Sequence, residues 1–423
     1  MEKFLLLFRI PDLRKKIVSV LLLLLVFRVL AAIPIPGINI ERLADFLNSN
    51  ELFGFLNIFS GGGFDNLSIA MLGVGPYITA TIIMQLLTLI FPQLKKYYYE
   101  EGAAGRAKFN RISRYLTPPL AAVQAYAFLN LLASQQVVGQ LSFADLLANV
   151  IVITAGSVFL MWIGELISEY KIGNGISLLI FAGIVSSIPQ ALTSALASYT
   201  PEIISNYLVF AVLAVIIIAG VVFVSEGERK IPVSYAKQVR GTKMYGGASS
   251  YLPLRVNQAG VIPIIFAISV MLFPQFIAQT VAVFSSDFSL KLTEWVNLFF
   301  NNILLYSLIY FILVFVFTYF YTSVTFDPKE IAKNLQQSGG FIPGVRPGQP
   351  TADVIRRTVS RTTLFGAAFL GLVAVLPNLT QLVTGVQIVS IGGTALLIVV
   401  AVVLEVLRQI EAQLTMREYE KII

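Results

Sequence analysis

The chain has 423 residues, of which 57% are hydrophobic and 13% charged, with a net charge of +7 and a mean hydropathy of +0.80. A soluble chain carries about twice that charged fraction, so the length goes into helices that face lipid and each other, in one membrane domain with loops. Cysteine and histidine are both absent, which excludes disulfides, thiolate chemistry, zinc proteases and Ser-His-Asp hydrolases; no cofactor is expected.

The N-terminus is basic (Lys3, Arg9, Arg14, Lys15, Lys16) and leads into an apolar stretch from Ile17 to Ile33. That stretch is longer than a signal-peptide core, and Pro34-Ile35-Pro36-Gly37 is not a small-residue cleavage site, so it reads as a retained first span. Leu52 to Phe59 is apolar but too short to cross, and Gly61-Gly62-Gly63 breaks it. A helix interior disfavours each glycine by roughly 1 kcal/mol. The outcome is a half-helix on a hinge, either lying on the outer leaflet or re-entrant and filling a cavity.

Ten spans are predicted, at 17–35, 67–91, 115–134, 147–168, 176–196, 203–224, 257–278, 299–323, 362–378 and 388–407, divided by Phe91-Pro92, Gly173-Asn174-Gly175, Thr200-Pro201 and Leu376-Pro377. With a cytoplasmic N-terminus, every Lys and Arg except Arg28, Arg42 and Lys291 falls on the cytoplasmic side, as the positive-inside rule requires. The loops at 225–256 and 325–361 are longer than a helix connection needs. Their basic residues serve topology and anionic-lipid contact, and could also hold an acidic protein or ribosomal RNA.

Ten spans divide into halves of five, 1–200 and 201–423. An odd number per half inverts the second relative to the first and puts a pathway between them. Glu165, Glu169, Glu226, Glu405 and Glu411 are expected at cytoplasmic ends and Asp145 at an outer end. Arg28 is the exception, and its guanidinium can snorkel outward. So few charges at mid-depth argue against a proton-coupled transporter, though a sodium symporter with inverted repeats stays open. Thr79, Thr81 and Gln85 lie on the second span, and Asn257 and Gln258 open the seventh. Interhelical hydrogen bonding and a functional seam both account for them.

Several long motifs carry a resemblance. The second span reads Gly73-Val74-Gly75-Pro76-Tyr77-Ile78-Thr79-Ala80-Thr81, and the fifth opens Gly173-Asn174-Gly175-Ile176-Ser177. The seventh is entered through Leu252-Pro253-Leu254-Arg255-Val256-Asn257-Gln258-Ala259-Gly260, and a cytoplasmic loop reads Gly340-Phe341-Ile342-Pro343-Gly344-Val345-Arg346-Pro347-Gly348. With Phe27-Arg28 ahead of Pro34-Ile35-Pro36-Gly37, these motifs resemble the SecY family of protein-conducting channels, in order, from the first span to the last.

The resemblance implies an all-α polytopic protein of the bacterial plasma membrane, with both termini cytoplasmic and two inverted five-helix halves around an hourglass pore. It implies a waist of Val74, Ile78, Ile176, Ile180, Ile265 and Ile398. Val74 departs from the usual Ile, which implies a looser collar on that side. Val74/Ile78 and Ile176/Ile180 are i,i+4 pairs, each on one helix face, and an apolar collar excludes ions by dewetting. Phe55, Asn57, Phe59, Gly61, Gly62 and Gly63 would belong to a plug, and Thr81, Gln85 and Asn257 to a lateral gate. Arg240, Lys243 and Arg346 would contact a SecA motor ATPase or the ribosome; the other reading of Arg346 is a residue that bonds loop carbonyls. Arg106-Ala107 stands where the family carries paired basic residues, one charge fewer. Implied partners are SecE-like and SecG-like subunits, signal peptides, nascent polypeptides, anionic lipids and a second copy of the chain. No enzymatic activity is implied.

Overall fold

Proline and glycine set most helix boundaries. The computed structural model describes residues 10–36, 60, 63, 67–99, 101–134, 137–139, 142–197, 204–235, 238–240, 243–245, 249–281, 286–384 and 393–420. Helix α1 (Pro11–Ala32) starts on a proline and stops before Ile33-Pro34. Helix α2 (Gly75–Ile90) has Pro76 in its first turn, and α3 (Pro92–Tyr99) starts on Pro92. Proline's fixed φ and missing N–H suit a first turn, and the residue before it resists helix. There follow α4 (Gly102–Ser134), α5 (Phe143–Glu169), α6 (Gly175–Ala197) and α7 (Ile204–Glu226). Ser142 caps α5, its hydroxyl accepting from the Asp145 N–H at 3.2 Å, which satisfies an otherwise orphaned donor.

Strands β1 (Glu228–Tyr235), β2 (Gln238–Arg240), β3 (Lys243–Tyr245) and β4 (Ser249–Arg255) come next. Then come α8 (Ile262–Val281), α9 (Ser286–Asn301), α10 (Ile303–Thr325), α11 (Pro328–Gln337), β5 (Gly340–Phe341), α12 (Gln349–Thr384) and α13 (Gly393–Glu420). Each of the ten expected spans overlaps a helix (α1, α2, α4 to α8, α10, α12 or α13), and 299–323 also takes in the last residues of α9 and the break at Asn302. Among the described residues, Phe143–Glu169, Ile303–Gln337 and Gln349–Leu376 are both long and apolar enough to cross a membrane. The pair Gly75–Thr88 and Pro92–Tyr98, bent by 112°, passes jointly.

Several boundaries move. The second span was expected from 67, but 67–74 is turns and α2 starts at Gly75. Asn257 and Gln258 do not open a helix; they lie in the turns before α8. The expected loop at 92–114 is a helical hairpin, in which a Cβ at Gly105 would stand 2.3 Å from the Tyr97 carbonyl oxygen. The expected loop at 225–256 holds strands, and α12 starts well ahead of the apolar stretch that marked it.

The chain divides into two compact units. The first comprises Met1–Ser205, Ser269–Asn302 and Gln387–Ile423. In it α1 packs on α5 and α6, α2 on α4 and α5, α4 on α5, and α6 on α5 and α13. Its core includes Ile35, Leu67, Met71, Phe128, Leu129, Leu132 and Ile153.

The second unit comprises Asn206–Ile268 and Ile303–Val386. Here α12 packs along α10 and α11, and a three-stranded antiparallel sheet has the order β4-β1-β5. Strand β1 pairs with β4 from Glu228↔Arg255 to Ser234↔Ser249. Ile231 and Val233 point inward two residues apart, the period of a half-buried strand. A cluster of Ile231, Leu254, Ile342, Ile355 and Val359 ties this sheet to the start of α12.

Candidate functional site

The approach to α2 is fastened to the end of α1. The Ile35 N–H donates to the Leu67 carbonyl and the Ile69 N–H to the Ile33 carbonyl, both at 3.0 Å. The Gly63 carbonyl accepts from the Ser68 N–H at 2.8 Å. On the far side, α5 comes against this segment at Gly156, where a Cβ would stand 2.1 Å from the Ile69 carbonyl oxygen. Only glycine allows that backbone approach. Val74 is the N-cap residue of α2 and is buried, and its carbonyl accepts from the Ile78 N–H at 3.1 Å. The first two expected ring residues therefore hang from a braced turn.

The Gly173-Asn174-Gly175 motif is a cap. Asn174 Oδ1 accepts from the Ile176 N–H at 3.1 Å and the Ser177 N–H at 3.2 Å, the normal way to satisfy a helix N-terminus. Ser168 Oγ accepts from the Gly175 N–H and donates to the Gly164 carbonyl, both at 2.9 Å. A Cβ at Gly175 would lie 1.8 Å from that same carbonyl oxygen, so α5 and α6 meet backbone to backbone. A Cβ at Gly164 would meet Ile176 Cδ1 at 2.6 Å, which puts the end of Ile176 against α5. Ile180 and Ile398 are buried in the first unit, and Ile265 is buried in the second.

The polar positions differ from one another. Thr81 Oγ1 donates to the Tyr77 carbonyl at 2.9 Å. Gln85 is buried and its Oε1 has no hydrogen-bond partner among the described residues. Asn257 is also buried; its Nδ2 donates to the Gly260 carbonyl at 3.1 Å, while Oδ1 has no partner among the described residues. A buried amide oxygen left unpaired costs about 1–3 kcal/mol.

Arg346 lies in a tight loop between β5 and α12. Gly344 and Gly348 have φ of +80° and +101°, values that favour glycine. The Val345 N–H donates to the Ile342 carbonyl at 3.0 Å, and Thr351 Oγ1 donates to the Arg346 carbonyl at 2.9 Å. Ile342 is buried in the cluster, and Val345 packs against it. The Arg346 side chain is exposed and makes no hydrogen bond or ion pair among the described residues. Backbone and apolar contacts therefore shape the loop, and the guanidinium is presented rather than spent on it. Arg229, Lys230, Lys329, Lys333, Arg357 and Arg361 are likewise exposed. Arg240 and Lys243 are cross-strand partners at the end of the β2–β3 hairpin.

Phe55, Asn57, Phe59, Gly61 and Gly62 lie outside the described residues. Sequence reasoning missed Gly156, Ser168 and the β1–β4 ribbon. The alternation at Ile231 and Val233 was the available signal, masked by Pro232. Among the described residues, no cluster of acidic side chains could hold a metal ion.

The helices and their apolar composition define a multi-pass membrane protein. The SecY family model matches residues 68–407. The chain is 43% identical over 435 residues to the protein translocase subunit SecY of Mycobacterium bovis, covering 97% of each. Its fold is similar to that of a solved protein-conducting channel, with a TM-score of 0.65 at 20% identity over 93% of this chain and 90% of that one. It is also similar to Sec61 in the canine ribosome–channel complex from the endoplasmic reticulum, with a TM-score of 0.62 at 18% identity, again over 93% and 90%. The chain belongs to the SecY family.

Proposed function

We propose that this chain is the protein-conducting subunit of a translocase in the bacterial plasma membrane. It passes secretory polypeptides across the bilayer and releases membrane segments into it. The observation that carries this reading is the 43% identity to a translocase subunit along 97% of both chains.

In this reading Val74, Ile78, Ile176, Ile180, Ile265 and Ile398 form the waist. Their side chains are apolar, so water and ions find no partner there, and a passing chain of any sequence meets no fixed contact. The segment at 54–65 is the plug, and it precedes in sequence the braced turn that carries Val74. Gln85 and Asn257 are gate residues. An unpaired amide oxygen on each supports this, because a polar group without a partner lowers the cost of parting a helix seam. Thr81 belongs to the same seam. Arg346, held out by its glycine frame, is the main basic contact for a SecA-like motor or a ribosome, with Arg240 and Lys243 beside it in role. Small SecE-like and SecG-like subunits complete the assembly, and the termini are cytoplasmic. The channel has no catalytic chemistry of its own, so its partners supply the energy.

The test is site-specific photocrosslinking to a stalled, half-translocated secretory chain. A photoreactive residue at Ile78 or Ile265 is expected to capture the chain, while exposed positions on the same helices do not. An engaged complex that gives no crosslink from either position would remove the pore reading.

A further inference from the structure

Helix α9 is absorbed neither by the spans nor by the polar platform. It covers Ser286–Asn301, and one residue, Asn302, separates it from α10. Trp295 is 76% exposed and Leu298 is exposed too, whereas Val296 is only 8% exposed. At about 100° per residue, Lys291, Trp295 and Leu298 fall within about 60° of the helix circumference, with Val296 on another side. Lys291 is exposed and makes no ion pair among the described residues. The helix thus exposes a large indole and a leucine with a cation between them, and the exposed Glu294 lies about 40° beyond Leu298.

The chain says what covers this face. Helix α10 has 23 residues, about 34 Å of helix, against a hydrocarbon core of about 30 Å. Leu304, Leu308, Ile312 and Val316 are all exposed on it at four-residue intervals, a stripe suited to lipid. That stripe begins two residues after Asn302, so the apolar face of α9 runs in sequence straight into a lipid-facing one. The other end of α10 leads through α11 to the Arg346 loop, so the chain passes from α9 into α10 at the end of α10 opposite that loop. Indole rings favour the headgroup level, and amphipathic helices lie in that plane.

We propose that α9 is an interfacial anchor. Trp295 and Leu298 enter the headgroup–acyl boundary of the outer leaflet, and Lys291 meets phospholipid phosphate. The inference rests on α10 spanning the membrane and on the cytoplasmic side proposed above for the Arg346 loop, and does not depend on the pore, plug or gate assignments.

The chain has two tryptophans, Trp162 and Trp295, so Trp162→Phe leaves Trp295 as the sole indole reporter. The full-length variant would be placed in vesicles of phosphatidylethanolamine and phosphatidylglycerol. One set contains phospholipid brominated near the headgroup end of its acyl chains, another phospholipid brominated near the methyl end, and iodide is the aqueous quencher. The expected result is blue-shifted emission, with the largest loss of intensity from the shallow bromine. Dominant loss to iodide would mean that the face lies in water. Dominant loss to the deep bromine would mean that α9 enters the bilayer core. No loss to any quencher would mean that protein covers it. Each of those three outcomes overturns the proposal. The Trp295→Phe protein is the control, since Trp162 is exposed on α5 within a span and should follow the deep pattern if the chain is inserted and folded.

Discussion

Gln413 Nε2 donates a hydrogen bond to the carbonyl oxygen of Lys171, a residue 242 positions earlier in the chain. Lys171 has φ of +57°, in the turn that reverses the chain from α5 into α6. The last turns of α13 therefore hold the entry to α6. They also hold the start of α1, where Leu13 and Leu414 pack with Ile10 and Ile410.

Leu414→Ala is expected to loosen this clasp. Truncating a buried leucine costs roughly 2–5 kcal/mol, and Leu414, at a helix end, should fall at the low end of that range. Hydrogen exchange would quicken in α13 beyond residue 408 and in the first turns of α1, while α10 and α12 keep their protection. Uniform protection throughout would mean that the clasp carries no energy.

Gly156→Leu is expected to raise the ion conductance of the resting channel. A Cβ there would strike the Ile69 carbonyl, and the displaced segment carries Val74. Overpacking against side chains costs about 1–3 kcal/mol; here the obstacle is backbone, so the cost exceeds that range and the segment itself must move, and the recording is made on the fraction that folds. Planar-bilayer recording would read the leak, with Ile398→Asn as a comparison that puts a polar group at the proposed waist. Conductance unchanged in both folded variants would count against the waist assignment.

Arg346→Glu is expected to abolish motor-driven translocation while leaving assembly and thermal stability unchanged. The guanidinium makes no hydrogen bond or ion pair among the described residues, so the fold loses neither with it. Translocation at the normal rate in an ATP-driven vesicle assay would refute the contact. A fall in melting temperature would point instead to a role in shaping the loop.

Gln85→Leu is expected to raise thermal stability and slow translocation. The substitution removes an unpaired buried oxygen that costs roughly 1–3 kcal/mol and makes the seam more apolar. Melting of the purified protein and transport of a substrate with a weak signal peptide are the two readouts. A lower melting temperature would mean that the oxygen has a partner in the assembled protein.

Much of this fold is legible in the sequence, because lipid leaves few choices. A run of apolar residues about 20 long must be helix, and the breaks read at Phe91-Pro92 and Gly173-Asn174-Gly175 are breaks in the structure too. Harder to read were places where tertiary contact overrides pattern. Residues 67–74 are as apolar as a span yet form turns, because their backbone groups pair with Ile33 and Ile35 and pack against Gly156. The strands β1 and β4 contain Pro232 and Pro253, which argue against a strand when read locally. Polar residues such as Gln85 and Asn257 could be picked out by type, but their unpaired oxygens follow only from coordinates.

Helix α12 runs unbroken from Gln349 through Leu376, 28 residues and about 42 Å. Its first turns are locked into the apolar cluster by Ile355 and Val359, and its start abuts the Arg346 loop. That length exceeds a hydrocarbon core of about 30 Å, so one stiff rod carries both the Arg346 loop and a stretch of helix apolar enough to cross a bilayer, with no joint between them. A push on the Arg346 loop therefore reaches the apolar stretch of α12 through one continuous helix, with no break between Gln349 and Leu376 to absorb it.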